Sequence, residues 1–170
     1  MKIEQVHIER SDRGFTLIEL LVTVAVIGVI AVIGVPGINA LLENNRVTAH
    51  TNRLVSSMHL ARSEAVKRND EVTLCSSKDG ATCDGKWVDG WIVKTKTEVL
   101  QVVGAPGKAI KVEPEGGEII FQGDGSAKID LEGETAISII KAGFKRQLAL
   151  SPGGSVHSCN PATDDGCDDQ

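Results

Sequence analysis

Apolar residues dominate the segment from Phe15 to Val35, in which Glu19 is the one charged side chain. As an α-helix this run would rise about 31 Å, which matches the thickness of the hydrocarbon core of a bilayer. The pattern therefore predicts a transmembrane helix over residues 15–35. Basic residues before the run are typical of a cytoplasmic flank: Lys2, Arg10 and Arg13.

A second helical segment is predicted over residues 36–69. Proline removes a backbone hydrogen bond, so we expect a kink at Pro36. The apolar positions recur at helical spacing and form one stripe, which we expect to be buried against a sheet rather than a partner helix: Val47, Leu54, Met58, Ala61 and Ala65. Polar side chains of the same segment are expected mostly to point elsewhere: Arg46, His50, Arg53, Arg62 and Lys67. The helix is predicted to end at Asn69-Asp70.

Beyond Glu71 the periodicity changes towards two and turn residues become frequent, which is typical of β-strands. The alternation predicts strands over 72–75, 87–94, 97–103, 109–112, 118–122, 127–129, 135–141, 145–150 and 156–159. The predicted fold is therefore α+β, with a long N-terminal helix packed on an antiparallel β-sheet head that spans residues 70–170. Trp87 and Trp91 are expected in its core, the alternative being a stacking surface for carbohydrate or nucleotide.

Four cysteines lie beyond the apolar run: Cys75, Cys83, Cys159 and Cys167. An even number in an exported domain predicts disulfides, and three connectivities are possible. We favour Cys75–Cys83 and Cys159–Cys167, because each pair closes a short loop around turn residues. Zinc is the less favoured alternative, since neither pair has the Cys-x2-4-Cys spacing of a zinc site.

Charge and composition narrow the classes of function. The net charge of −5 argues against a dedicated nucleic-acid binder. His50, His59 and His157 are isolated, and each is expected on the surface or on a helix face. No nucleophile–base pair is recognisable, so we predict no catalytic residue, no enzymatic activity and no cofactor. The aspartates near the carboxyl end lack the spacing of a calcium loop, and we expect a solvated acidic tail instead: Asp164, Asp165, Asp168 and Asp169.

Glu19 is the residue that the apolar run does not explain. A carboxylate at membrane depth costs about 2.5–3.5 kcal/mol on insertion scales, so it needs a partner. A cut after Gly14 would supply one, because the new amine of Phe15 would lie one helical turn away. An ordinary signal peptide has a shorter apolar core, and a plain anchor would account for neither Glu19 nor the Gly14-Phe15 pair.

The stretch Arg13-Gly14-Phe15-Thr16-Leu17-Ile18-Glu19 resembles the processing signal of type IV pilin precursors and of their type II secretion relatives, the pseudopilins. The resemblance implies that residues 1–14 are a leader, which a prepilin peptidase removes before it methylates the amino group of Phe15. It also implies that Glu19 neutralises the amine of a neighbouring subunit in the filament. Pairing with its own amine in a stored monomer is the alternative.

The head resembles the GspH/FimT group of minor pilins and pseudopilins. The matching motifs are Leu74-Cys75-Ser76-Ser77, Asp79-Gly80, Cys83, Trp87-x-x-Gly90-Trp91, Ile120-Phe121-x-Gly123-Asp124-Gly125 and the stretch 148–154. The resemblance implies a single-pass protein of the bacterial inner membrane with a periplasmic head. Its expected partners are the prepilin peptidase, other minor and major pilins or pseudopilins, and the inner-membrane assembly platform.

Three functions follow from the resemblance. The favoured one is a minor pilin that helps to initiate or cap a type IV pilus, and the first alternative is a minor pseudopilin of type II secretion. A pilin that binds DNA is less favoured, because the position of the expected Gly-Arg-x-Arg motif reads Gly153-Gly154-Ser155-Val156-His157. Phosphate binding needs clustered positive charge, and the only nearby cluster is Lys141, Lys145 and Arg146.

Overall fold

A computed structural model describes residues 14–107, 110–131 and 136–163, without the side chains of residues 32–37 and Ala40. The predicted leader up to residue 13, the acidic tail from Asp164 and Cys167 therefore lie outside the described residues. The elements are helix α1 (Leu17–Arg68) and strands β1 (Val72–Ser76), β2 (Gly90–Lys94), β3 (Val99–Gly104), β4 (Lys111–Glu113), β5 (Glu118–Phe121), β6 (Ala127–Asp130), β7 (Ala136–Lys141), β8 (Phe144–Leu150) and β9 (Val156–Cys159). The chain divides into two compact units, with the boundary inside α1 after Asn39.

In the first unit, α1 presents apolar side chains on every side. Each large apolar side chain from Phe15 to Ile30 is at least 52% exposed. Among the described residues, no helical segment combines the length and the apolarity that crossing a membrane requires. The helix continues through the position of Pro36, and the kink expected there stays a prediction.

In the second unit, the predicted stripe of α1 is the helical side of the core. Its five members are each at most 1% exposed: Val47, Leu54, Met58, Ala61 and Ala65. Arg46, Arg53 and Lys67 are exposed, as expected. The prediction was wrong for His50, which is 6% exposed, and for Arg62, which is half-buried. His50 lies three residues after Val47, on the stripe itself, and it is buried because it has a hydrogen-bond partner there.

The carboxyl end of α1 is closed by backbone hydrogen bonds around Asn69. The Asp70 amide donates to the Ala65 carbonyl oxygen at 3.2 Å, and the Asn69 amide donates to that of Val66 at 3.3 Å. Asn69 adopts a left-handed backbone with φ 51°. These features define a Schellman motif with asparagine in the position that glycine usually occupies, and they confirm the predicted helix end.

The strands form two antiparallel sheets. The first has five strands in the order β3-β2-β1-β5-β6, and the second has four in the order β4-β7-β8-β9. In the first sheet β1 is central, with Cys75 opposite Ile92 of β2 and Leu74 opposite Ile119 of β5. The predicted antiparallel head is confirmed, but its division into two sheets was not foreseen.

The strand predicted over 87–94 begins three residues later than expected. Residues 87–89 form a turn instead of the start of β2. The Asp89 amide donates to the Lys86 carbonyl oxygen at 2.8 Å, and the Trp87 amide donates to that of Glu115 at 2.9 Å. Those bonds hold Trp87 in the core without strand pairing, and its side chain is 0% exposed.

Leu54→Ala tests the role of the helical stripe. Removal of a buried leucine side chain leaves a cavity, so we expect the free energy of unfolding to fall by about 2–5 kcal/mol. Leu41→Ala is the matched control, because Leu41 lies on the same helix and is 60% exposed. Urea unfolding of both variants makes the comparison, and equal losses would contradict the assignment of the stripe as core.

Candidate functional site

The start of α1 is fixed by Thr16. Its Oγ1 accepts a hydrogen bond from the Glu19 amide at 3.3 Å, and its carbonyl oxygen accepts one from the Leu20 amide at 3.2 Å. Thr16 is therefore the N-cap, and Glu19 occupies the third helical position, which is the spacing of a capping box. Thr16 was not predicted as the N-cap, although the Thr-x-x-Glu spacing is a recognisable signal for it.

Glu19 is exposed in the first turn of the helix. A negative charge at this position interacts favourably with the partial positive charge of the helix N-terminus. Among the described residues, the Glu19 carboxylate has no hydrogen-bond or ion-pair partner. The partner that Glu19 would need in a membrane is therefore not found among the described residues.

Gly14 and Phe15 precede the helix in an exposed segment without regular structure. A Cβ atom added at Gly14 would meet no other atom within 4 Å. Phe15 is 86% exposed. Packing within the described residues therefore does not require glycine at position 14.

A disulfide joins Cys75 and Cys83, as predicted, with their Cα atoms 5.5 Å apart. Asp79 organises the loop that this bond closes, because its Oδ1 accepts hydrogen bonds from the amides of Thr82 at 2.8 Å and Ala81 at 2.7 Å. The hydrogen bond from the Thr82 amide and, to a smaller extent, the one from the Ala81 amide hold the pKa of Asp79 far below its usual range. The loop is thus fixed both covalently and by an ionised carboxylate.

Cys159 is also disulfide-bonded. Its predicted partner, Cys167, lies outside the described residues. The predicted pairing of Cys159 with Cys167 therefore stays a prediction.

Trp91 is buried and donates from Nε1 to the hydroxyl oxygen of Ser57 at 2.9 Å. The Ser57 hydroxyl in turn lies 2.7 Å from Oε1 of Gln101 on β3. This chain of hydrogen bonds ties α1 to two strands of the first sheet. Trp87 and Trp91 are thus core residues, as expected, and neither ring is available for stacking on a ligand.

His50 links α1 to the loop between β3 and β4. Its Nε2 lies 2.9 Å from the Pro106 carbonyl oxygen, and its ring meets that of Trp91 edge to face, with centroids 6.3 Å apart. Burial lowers the pKa of His50, and the hydrogen bond to Pro106 opposes that effect. The neutral ring therefore acts as a packing group that donates one hydrogen bond.

Arg62 joins the turns of both sheets. Its Nε donates to the Gly125 carbonyl oxygen at 3.1 Å, in the turn between β5 and β6. Its NH2 group donates to the Gly153 carbonyl oxygen at 2.8 Å, in the turn between β8 and β9. We call Arg62 and these two carbonyl groups the turn clamp. The Ala127 amide donates to the Pro152 carbonyl oxygen at 2.9 Å beside it, so the sheets are joined twice at this end.

Glycines allow the two turns to approach the helix and each other. A Cβ atom at Gly123 would lie 2.8 Å from Oδ1 of Asn69, at the end of α1. A Cβ atom at Gly154, which has φ +78°, would lie 2.2 Å from the Gly125 carbonyl oxygen. Side chains at these positions would push the turns away from Arg62.

The basic residues considered for DNA binding do not form one patch. The Lys141 ammonium lies 2.7 Å from the Glu43 carboxylate, and that contact lowers the pKa of Glu43. Lys145 and Arg146 are neighbours on β8 and therefore point to opposite faces of the sheet. Within the described ranges, no three histidine, cysteine or acidic side chains lie close enough together to hold a metal ion.

Comparison with known families matches two segments of the chain. Residues 50–154 match the type II transport protein GspH, and residues 10–35 match the prokaryotic N-terminal methylation motif. The chain belongs to the GspH family. This is a family of structural pilins and pseudopilins, which confirms the resemblance to GspH/FimT-like minor pilins.

Two crystal forms of the type IV minor pilin FimU of Pseudomonas aeruginosa strain PAO1 share this fold. The first aligns with a TM-score of 0.54 and 19% identity over 73% of this chain and 95% of FimU. The second aligns with a TM-score of 0.51 and 17% identity over 68% of this chain and 94% of FimU. The identity is low, so the likeness concerns the fold alone. No curated protein sequence matches the chain.

The GspH match begins at His50 and ends at Gly154. It therefore contains the disulfide loop and the complete turn clamp of this family member. The methylation motif contains the Gly14-Phe15 pair and Glu19. The two matched segments thus coincide with the start of α1 and with the contacts that hold the head together.

Arg62→Ala tests the turn clamp. Loss of two hydrogen bonds from a charged group leaves two carbonyl groups without their donor, so we expect unfolding free energy to fall by about 1.5–3 kcal/mol. Arg46→Ala is the matched control, because Arg46 lies on the same helix with its side chain 61% exposed, and its ion pair among the described residues is with Glu43. Urea unfolding measures the free energy of unfolding of both variants. A loss in Arg62→Ala no larger than that in Arg46→Ala would contradict the role of the turn clamp.

Proposed function

We propose that this chain is a minor pilin of a type IV pilus, cut between Gly14 and Phe15 and held in the inner membrane by one helix, with its head in the periplasm. The supporting observation is the apolar surface of α1 from Phe15 to Ile30, which is at least 52% exposed at every large side chain. A helix that is apolar all round is stable in a membrane or among other helices. The methylation motif over residues 10–35 supports the same assignment.

Assembly rests on burial of that surface against the same segment of neighbouring subunits. In a lipid-free filament core, a carboxylate without a partner would be costly. A cut after Gly14 creates an amine at Phe15, and the Glu19 carboxylate of a neighbour neutralises it. Each charge then removes the desolvation penalty of the other.

The proposal implies three kinds of partner. A prepilin peptidase cuts the chain and methylates Phe15. Other minor and major pilins pack against α1, and the inner-membrane assembly platform receives the mature subunit. Within such a system we assign this protein to the initiation or tip complex, since the FimU structures that share its fold belong to a minor pilin.

A minor pseudopilin of type II secretion is the second candidate. The observation that favours it is the matched family itself, which is described as a type II transport protein.

Deletion of the gene separates the candidates, because loss of surface pili with normal protein export supports the pilus. Loss of export with normal pili supports the pseudopilin. Genes of other minor pilins beside this one would favour the pilus.

Gly14→Val tests the processing site. The substitution should leave the precursor uncut, because in the family that residues 13–19 resemble the peptidase cuts after glycine, whereas a Cβ atom at this position meets no other atom within 4 Å in the structure. Gly28→Val is the matched control, since a Cβ atom there also meets nothing within 4 Å. Mass spectrometry of the amino terminus reads the outcome, and a normally cut Gly14→Val chain would contradict the proposal.

Glu19→Val tests the charge pair. Removal of one partner of a buried pair costs about 3–5 kcal/mol, so recovery of the protein in sheared filaments should fall about tenfold or more. Membrane insertion should persist, since the segment becomes more apolar. Thr23→Val is the matched control, because the Thr23 hydroxyl is already bonded to the Leu20 carbonyl oxygen at 2.8 Å. Undiminished recovery of Glu19→Val would exclude the pairing role.

A further inference from the structure

Strand β3 lies at the edge of the five-stranded sheet. It pairs with β2 on one side, and no strand of the described residues pairs with its other side. A strand in that position presents unpaired amide and carbonyl groups, which another strand can use for pairing. The strand is six residues long, which is typical for a strand in a stable sheet.

The sequence of β3 lacks two of the features that usually protect an edge, charged side chains and proline. Val99 is 40% exposed and Val102 is 58% exposed, and with Val66 they are the exposed large apolar side chains beyond residue 42 in the described part of the chain. Residues 99–104 contain neither a charged residue nor proline. A register shift lies at the Val99 end, which leaves the rest of the strand regular.

An open groove of about 460 Å³ runs between β3 and α1. Its walls are formed by Gln101–Gly104 of the strand and by three residues of the helix, Asn52, Arg53 and Ser56. Arg53 is the one charged residue in this lining, and it lies at the carboxyl half of β3. At the other end, the Glu98 carboxylate is 54% exposed and pairs with Arg68 at 2.7 Å.

We propose that the edge of β3 binds the β3 edge of a second copy of this chain in antiparallel orientation. Such a contact is isologous, so each copy offers the same surface to the other. In this arrangement Arg53 of one copy lies beside the Glu98–Arg68 pair of the other, where the Glu98 carboxylate is 54% exposed and can accept a hydrogen bond from Arg53 as well as from Arg68. Between those ends the paired strands are uncharged, so no like charges oppose each other near the two-fold axis.

Charge at long range does not drive this association. Each copy carries a net charge of −5, so two copies repel weakly at a distance. The contact therefore rests on strand pairing, on burial of Val99 and Val102, and on local attraction between Arg53 and Glu98. A parallel arrangement would place Arg53 beside Arg53, which disfavours it.

The test uses the full-length chain, expressed as two copies with different tags in the same cells. Photoreactive benzoylphenylalanine replaces Val102 in one copy, and the matched control carries it in place of Val66, which is 51% exposed on α1. We expect an adduct that bears both tags from position 102 and none from position 66. The Cys75–Cys83 bond, checked on a non-reducing gel, verifies that each variant is folded.

The charge arrangement is tested by Arg53→Glu in both copies. This change places two carboxylates together at each end, so the two-tag adduct should fall about tenfold. Arg46→Glu is the control and should leave the yield unchanged. The proposal is overturned if position 102 gives no two-tag adduct, gives an adduct with another protein only, or matches position 66. An unchanged yield in Arg53→Glu would overturn the antiparallel orientation.

Discussion

Burial of apolar helix surface is the constraint on which the remaining structure depends, and two stretches of α1 differ in whether the described chain meets it. Between Val47 and Ala65 the apolar stripe lies against the sheets of its own head, where its members are at most 1% exposed. Between Phe15 and Ile30 the described chain offers nothing to cover equally apolar residues. The first stretch makes the head a folded unit, and the second exposes apolar surface that the proposed contacts with lipid or with other helices would bury.

The head is built so that its two sheets close on the end of the helix. Arg62 binds one turn from each sheet, and the Ala127–Pro152 hydrogen bond joins the same turns directly. Glycine at positions 123 and 154 permits these approaches, since a Cβ atom would collide with Asn69 or with the Gly125 carbonyl oxygen. Two motifs that carry the family resemblance are therefore parts of a single contact region.

Features that repeat along the chain, or that depend on neighbouring residues, were predictable from the sequence. The apolar spacing predicted the buried stripe, the alternation predicted the strands, and the short spacing of Cys75 and Cys83 predicted their disulfide. Contacts between distant segments were not predicted: Arg62 binds Gly153 across 91 residues, and His50 binds Pro106 across 56. A polar side chain at a stripe position carries no local sign of a distant partner. For the same reason the division into two sheets was not foreseen, while Gly14, Phe15 and Glu19 were identified by their motif and remain predictions.

The position of the N-cap has a consequence for maturation. Both hydrogen bonds that define the first turn of α1 end on Thr16, two residues beyond the proposed scissile bond. Cleavage between Gly14 and Phe15 would remove neither a turn of α1 nor Thr16, the residue that caps its N-terminus. The leader could therefore depart without refolding of the stem, and the subunit would change its terminal charge while keeping its backbone conformation.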